Sequence, residues 1–166
     1  MKTLLICLLP VTLLAAGSVD HLAKEVRHEL VMLPYYGVFD DLSYRIDGST
    51  VTLFGAVTQP RLKDDAGASV KGIEGVTRVD NQIEVLPLSP DDDRIRRAAY
   101  NSIYSKSSLQ RYQLSAVPPI HIIVRNGSIT LVGVVDSEID KDIAGIAANG
   151  VPGSFKVENQ LQIAQK

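Results

Sequence analysis

The chain has 166 residues, 45% of them hydrophobic and 22% charged, a composition that excludes an intrinsically disordered protein and suits one ordinary domain or two small ones. A net charge of −2 argues against a general nucleic-acid binder, and 5% aromatic residues without Trp argue against an aromatic platform for stacked ligands.

The first element is a leader. Met1-Lys2-Thr3 is followed by an apolar stretch from Leu4 to Leu14 and then Ala15-Ala16-Gly17, which predicts a cleavable secretory signal peptide over residues 1–17. The stretch contains Pro10 and is too short to span a bilayer comfortably. Cys7 follows Leu5-Ile6, where a bacterial lipidation site requires a small residue, so no lipoprotein is expected. Cys7 is the sole cysteine, and the mature chain would hold no disulfide, thiol nucleophile or Cys-based metal site. A cysteine-free exported chain fits the periplasm.

The next residues predict an amphipathic helix with Leu22, Val26, Leu30 and Leu33 on one side and Pro34 after it. Tyr44 and Ile46 alternate with polar residues up to Asp47-Gly48, and Val51, Leu53 and Val57 alternate again, the pattern of a β-hairpin. Pro60 opens a second helix. A last strand runs from Val79 to Val85, and Pro87-Leu88-Ser89-Pro90 is a short stiff spacer.

After the spacer the series starts again. Asp91-Asp92-Asp93 suits a helix N-terminus, and Ile95, Ala99 and Ile103 take the places of Leu22, Val26 and Leu30. Ile122 and Val124 lead to Asn126-Gly127, then Ile129, Leu131 and Val135; Ser137 and Asp140 form a capping box, and Val157 to Ile163 is the closing strand. Residues 51–85 laid on 129–163 agree without a gap at 13 of 35 positions, against about two by chance. The agreements include Gly55 with Gly133, Ala66-Gly67 with Ala144-Gly145, Gly72 and Gly75 with Gly150 and Gly153, and Asn81-Gln82 with Asn159-Gln160. The expected organisation is a repeat over 20–86, a linker at 87–90 and a repeat over 91–164. The fold class is α+β. Each repeat is α-β-β-α-β, a three-stranded mixed sheet with two helices on one face.

Val51-Thr52-Leu53-Phe54-Gly55 and Ile129-Thr130-Leu131-Val132-Gly133, with the Asp47-Gly48 and Asn126-Gly127 turns and the Gly75-to-Asn81 and Gly153-to-Asn159 segments, resemble the BON (bacterial OsmY and nodulation) domain, twice over. The second copy departs from the usual Gly-Val pair at Ser154. The resemblance implies a non-catalytic envelope module, often exported and in tandem, described as phospholipid-binding; some members are induced by osmotic stress or support outer-membrane integrity. Family motifs of this kind specify fold better than ligand.

The marked residues have structural readings. Gly55 and Gly133 are expected to lie under a helix that crosses close over the strand. The two Gly-x-x-Gly segments read as a helix cap and turn. Asn81 and Asn159 are expected to bond a neighbouring loop and fix the start of the last strand. His21 and His28 stand about 10 Å apart along a helix, too far to share an ion, and face solvent; His121 stands alone on a strand. No hydrolase, zinc-protease or P-loop motif is present, so no catalytic, cofactor-binding or metal-ligating residue is assigned, and the protein is not read as an enzyme.

One surface is expected to bind. With Ile95, Ala99 and Ile103 against the sheet, Arg94, Arg97, Tyr100, Asn101 and Tyr104 face outward, flanked by Arg96, Lys106 and Arg111. Residues 20–85 hold seven basic against eleven acidic residues, net −4, whereas residues 91–166 hold nine against eight, net +1. Arg94, Arg97, Tyr100 and Tyr104 therefore read as a peripheral contact with anionic phospholipid headgroups or with an envelope protein. The simpler reading packs the two tyrosines against the first repeat and pairs the arginines with its acids. The expected protein is a periplasmic envelope module; a soluble osmotic-stress or chaperone-like periplasmic protein is the alternative.

Overall fold

Apolar residues at four-residue spacing make one side of α1 (Leu14–Val31) a buried stripe of Leu22, Val26 and Leu30. The computed structural model describes residues 14–165; residues 1–13 of the expected leader, Cys7 among them, lie outside the described residues. The stripe packs on Val51, Leu53 and Val57, the inward row of a hairpin made by β1 (Asp41–Asp47) and β2 (Thr50–Val57). α2 (Pro60–Lys71) adds Leu62, Ala66 and Val70 to the same core. The chain then returns parallel to β2 as β3 (Arg78–Asn81) and β4 (Glu84–Val85), with Thr50 beside Arg78 and Ala56 beside Glu84. The order α-β-β-α-β and both helices on one sheet face are those expected, with the final strand in two pieces.

The second repeat repeats this order. α3 (Pro90–Tyr104) precedes β5 (Ile120–Arg125), β6 (Ser128–Val135), α4 (Glu138–Asn149), β7 (Lys156–Asn159) and β8 (Gln162–Ile163). A 3₁₀ turn at Gln110–Leu114 is additional. Ser89 caps α3 by accepting from the Asp92 amide at 3.2 Å, and Ser137 does the same for Asp140 in α4. Both hairpins close with a two-residue loop at equivalent positions, and the loops differ in where the glycine stands. Asn126 and Gly127 both have positive φ (50° and 74°), the form that matches strand twist, whereas pairing of Asp47 with Thr50 makes the first loop Gly48-Ser49 rather than Asp47-Gly48.

Two expectations change. Gly55 and Gly133 do not sit beneath a helix. Their φ values are +116° and +122°, and a Cβ at either would run into the carbonyl of the adjacent strand or its approach, Asp41 and Pro119 respectively. The close helix approach occurs instead at Gly67 and Gly145, where a Cβ would stand 2.8 Å from Nδ2 of Asn81 or Asn159. Those asparagines bond a helix, not a loop. Asn81 Nδ2 donates to the Lys63 carbonyl at 2.8 Å while its Oδ1 accepts from the Ile83 amide, and Asn159 bonds Lys141 and Leu161 in the same way. The last strand divides just after this residue in both repeats.

The repeats dock through the faces of their sheets that carry no helix. Ala56 and Leu86 pack on Ile123, with Val132 against them, and Arg125 pairs with Glu84. Between α1 and β1, Val38 offers its carbonyl to the Ile122 amide at 2.8 Å. β5 is consequently buried from Ile120 through Val124, on both faces.

Candidate functional site

Three aspartates open α3, and the structure separates their roles. Asp92 is buried, its carboxylate accepting from the amides of Asn126 and Gly127 at 2.9 and 2.8 Å; it ties the helix start to the hairpin turn. Asp91 stands 3.7 Å from Arg94, and Asp93 pairs with Arg96. The Arg96 guanidinium is buried and donates to the Val124 carbonyl at 2.7 Å, so it does not flank the outer surface as expected.

The four candidate residues divide. Arg94 and Arg97 are exposed on α3, and Arg94 also donates to the Pro152 carbonyl at 3.4 Å. Tyr100 is half-buried: its hydroxyl accepts from Gln113, and its ring lies edge-on to Phe39 of the first repeat at 6.2 Å. Tyr104 does not face outward. It is 3% exposed and donates to the Ile120 carbonyl at 2.9 Å; burial, with Tyr100 at 4.8 Å, pushes its phenol well above the ordinary value. A helical wheel misplaces it because residues 105–119 fold back over the last turn of α3 and bring Leu109 and Tyr112 into the same core. Tyr100 therefore touches the first repeat, whereas Arg94 and Arg96 pair with acids of their own helix and Arg97 has no ion-pair partner among the described residues.

A neighbouring face completes this surface and was not picked out from the sequence. α4 lies antiparallel beside α3, as the Arg94–Pro152 contact and the Ser102 hydroxyl bond to the Ala147 carbonyl (2.8 Å) fix at two points. Its outer side exposes Ile139 (69%) and Ile146 (72%), with Ile143 half-buried between them, and Phe155 is 87% exposed just beyond. Spacing of i, i+4, i+7 looks like a core stripe on a wheel, and nothing local distinguishes a covered stripe from an open one. Arg94 and Arg97 thus share an outer layer with three bare apolar side chains; Glu138 and Asp142 are the exposed acids on α4.

The α4 N-terminus is held from below. Asp140 is buried, accepting from Arg111 (2.7 Å), Tyr112 (3.0 Å) and Ser137 (2.7 Å). Burial works to raise its carboxyl, but Ser137, Tyr112 and the Arg111 charge outweigh it and hold the group below the usual carboxylate range. Arg111 is therefore engaged inside its own repeat.

His121, which the sequence left alone on a strand, is buried at the joint between repeats. Its ring stacks on Tyr36 at 5.5 Å, and the two side chains approach at 3.5 Å through Nε2 and the hydroxyl. Burial lowers the imidazole from its ordinary 6.5, against the pull of the Asp41 carboxylate. His21 and His28 are exposed, as expected. Among the described residues no cluster of three or more His, Cys, Asp or Glu is placed to hold a metal ion, and no helix is long and apolar enough to cross a membrane.

Comparison with known proteins gives a clear family match. The BON domain profile fits residues 18–87 and again 104–165. Osmotically-inducible protein Y of Escherichia coli (strain K12) is 31% identical over 127 residues, 74% of this chain and 61% of that protein. The chain thus spans about three fifths of the length of this relative. Two solved structures of CdsD, a structural protein of the type III secretion system of Chlamydia trachomatis, align at 10% and 12% identity, over 95% and 87% of this chain and 100% and 94% of theirs. Their TM-scores of 0.34 and 0.33 are too low to carry an argument.

Proposed function

The chain belongs to the BON domain family, and from that premise we propose that it is a non-catalytic periplasmic envelope protein that associates with anionic phospholipid through the helical layer of its second repeat. The observation that carries this reading is that the α3–α4 layer exposes two arginines, Arg94 and Arg97, on one helix and the apolar Ile139 and Ile146 on the other, with Phe155 beyond. Cations draw a surface to anionic headgroups, and bare aliphatic and aromatic side chains gain by entering the headgroup boundary. Tyr104 drops out as a direct contact, its hydroxyl bound to the Ile120 carbonyl within the repeat, whereas the half-buried Tyr100 packs on Phe39 of the first repeat.

Sedimentation with phosphatidylglycerol vesicles at low salt tests the proposal. The protein is expected to co-sediment, Arg94→Glu with Arg97→Glu to weaken binding at least tenfold, each charge near the surface being worth about 1 kcal/mol, and phosphatidylcholine vesicles to leave it in solution. Absence from the phosphatidylglycerol pellet at low salt overturns it. The name of the relative favours a second reading, a soluble protein of osmotic stress; it predicts suppression of client aggregation without vesicle binding.

A further inference from the structure

Docking of the two sheets is incomplete. A groove of about 650 Å³ opens where α1, β1 and Phe54 of the first repeat meet Val117, Pro119, His121, Gly133 and Val134 of the second. That volume lies within the roughly 300–1,000 Å³ range of small-molecule sites. Val31 of α1, Phe54 of β2 and Val134 of β6 line it and remain 46%, 42% and 45% exposed, so three separate elements leave large apolar side chains uncovered toward one space. Burying such side chains under an aliphatic ligand is favourable in proportion to the area covered.

The charge of the groove selects the ligand further. Among its lining residues Arg27 alone carries a formal charge, and it makes no ion pair among the described residues. This cation belongs to a repeat of net charge −4, in which acids are the commoner neighbours. An open groove walled by a helix and by strands of both repeats admits a linear chain, and an unpaired guanidinium in its lining fits a carboxylate.

We infer that the groove between the repeats, lined by Phe54, Val134 and Arg27, binds a single-chain fatty-acid anion. The site is separate from the α3–α4 surface and does not depend on it.

Titration with cis-parinaric acid, kept below its micelle concentration, tests this by fluorescence. Saturable one-to-one binding displaced by laurate is expected. Phe54→Asp and Val134→Asp are each expected to abolish it; they lie in different repeats, so misfolding of one variant, read by thermal melting, leaves the other to decide. Arg27→Gln is expected to weaken parinarate by about fivefold, the contribution of a partly exposed charge pair, and to leave its methyl ester unaffected. Arg94→Glu with Arg97→Glu is expected to leave parinarate binding intact, which separates this site from vesicle association. The proposal is overturned by absence of saturable binding, by binding that survives both aspartate variants in folded protein, by equal loss of acid and ester in Arg27→Gln, or by preference for lysophosphatidylglycerol or a nonionic detergent over the fatty acid.

Discussion

The two repeats share a backbone plan and differ in what they do with the space around it. Position 62 is a buried Leu in the first repeat; its counterpart, Asp140, is a buried carboxylate. The second repeat accommodates that charge because its longer segment 105–119 supplies Arg111 and Tyr112 to bind it. The first repeat uses Asp40 in a related way, accepting from the amide and hydroxyl of Thr58 at 2.7 and 2.8 Å, while the Tyr112 hydroxyl accepts from the amide of Asp136, the residue matching Thr58. The outer helix faces differ as well. Arg61 and Asp65 stand as an exposed pair 3.4 Å apart on α2, whereas Ile139 and Ile143 hold those places on α4. Residues identical in both copies serve strand, turn and helix–strand geometry. Residues that diverge set the difference between the outer faces of α2 and α4 and between the groups buried beneath them.

The strongest test of the shared plan is at Gly55 and Gly133. Valine at either position meets both a positive φ and a neighbouring carbonyl, and each substitution is expected to destabilise by roughly 2–4 kcal/mol, read by denaturant unfolding. Near-equal losses support one mechanism in both copies. A loss at one position and not the other breaks the equivalence of the repeats at their central strands.

Much of this plan was legible in the sequence, because duplication exposes constraint directly. The repeated Gly, Asn and turn residues marked element order and the two-helix, one-sheet layering, and the capping Ser137–Asp140 pair was legible from spacing. The reason for each glycine was not. A strand glycine signals close approach but does not say from which side, and here the neighbouring strand approaches Gly55 and Gly133 while a helix approaches the asparagines at Gly67 and Gly145. Only part of the candidate surface was legible. Arg94 and Arg97 are where a helical period places them, but Arg96 and Tyr104 are covered by β5 and the 105–119 segment, contacts distant from any helical wheel. His121 gave no signal, since its burial depends on the other repeat.

The joint between repeats offers a test of intermediate size. Burial holds the His121 imidazole below 6.5, so the unfolded chain binds its proton more tightly than the docked one. The contribution of the neutral ring is complete above about pH 6.5 and is lost as pH falls through the lowered value. Asp41, whose carboxyl burial raises, and Asp40 face the ring from β1 and the preceding turn, and their attraction for imidazolium reduces the loss without reversing it; the Tyr36 phenol is pushed upward and does not titrate in this range. Melting curves between about pH 7.5 and 5.5 are expected to show declining stability in the wild type. His121→Phe keeps the stack on Tyr36, is expected to lie within ~1 kcal/mol of wild type at neutral pH, and should flatten the acid limb. An unchanged acid limb in the variant would assign the decline to other groups.

The smallest expected effect sharpens the contrast between the outer faces. Arg61→Ile with Asp65→Ile copies the α4 pattern onto α2. The replaced pair is an exposed i,i+4 contact, and such pairs contribute about 0.3–0.5 kcal/mol, so the double variant is expected to unfold within ~0.5 kcal/mol of wild type. Its effect on vesicles carries the information. In the first repeat Lys24 stands at the place of Arg97 but His21 at that of Arg94, and the repeat's net charge of −4 opposes an anionic surface. The variant is therefore expected to bind phosphatidylglycerol vesicles no more tightly than wild type. A clear gain in binding would mean that aliphatic exposure alone suffices, and that the arginines of α3 are dispensable to the difference between the repeats.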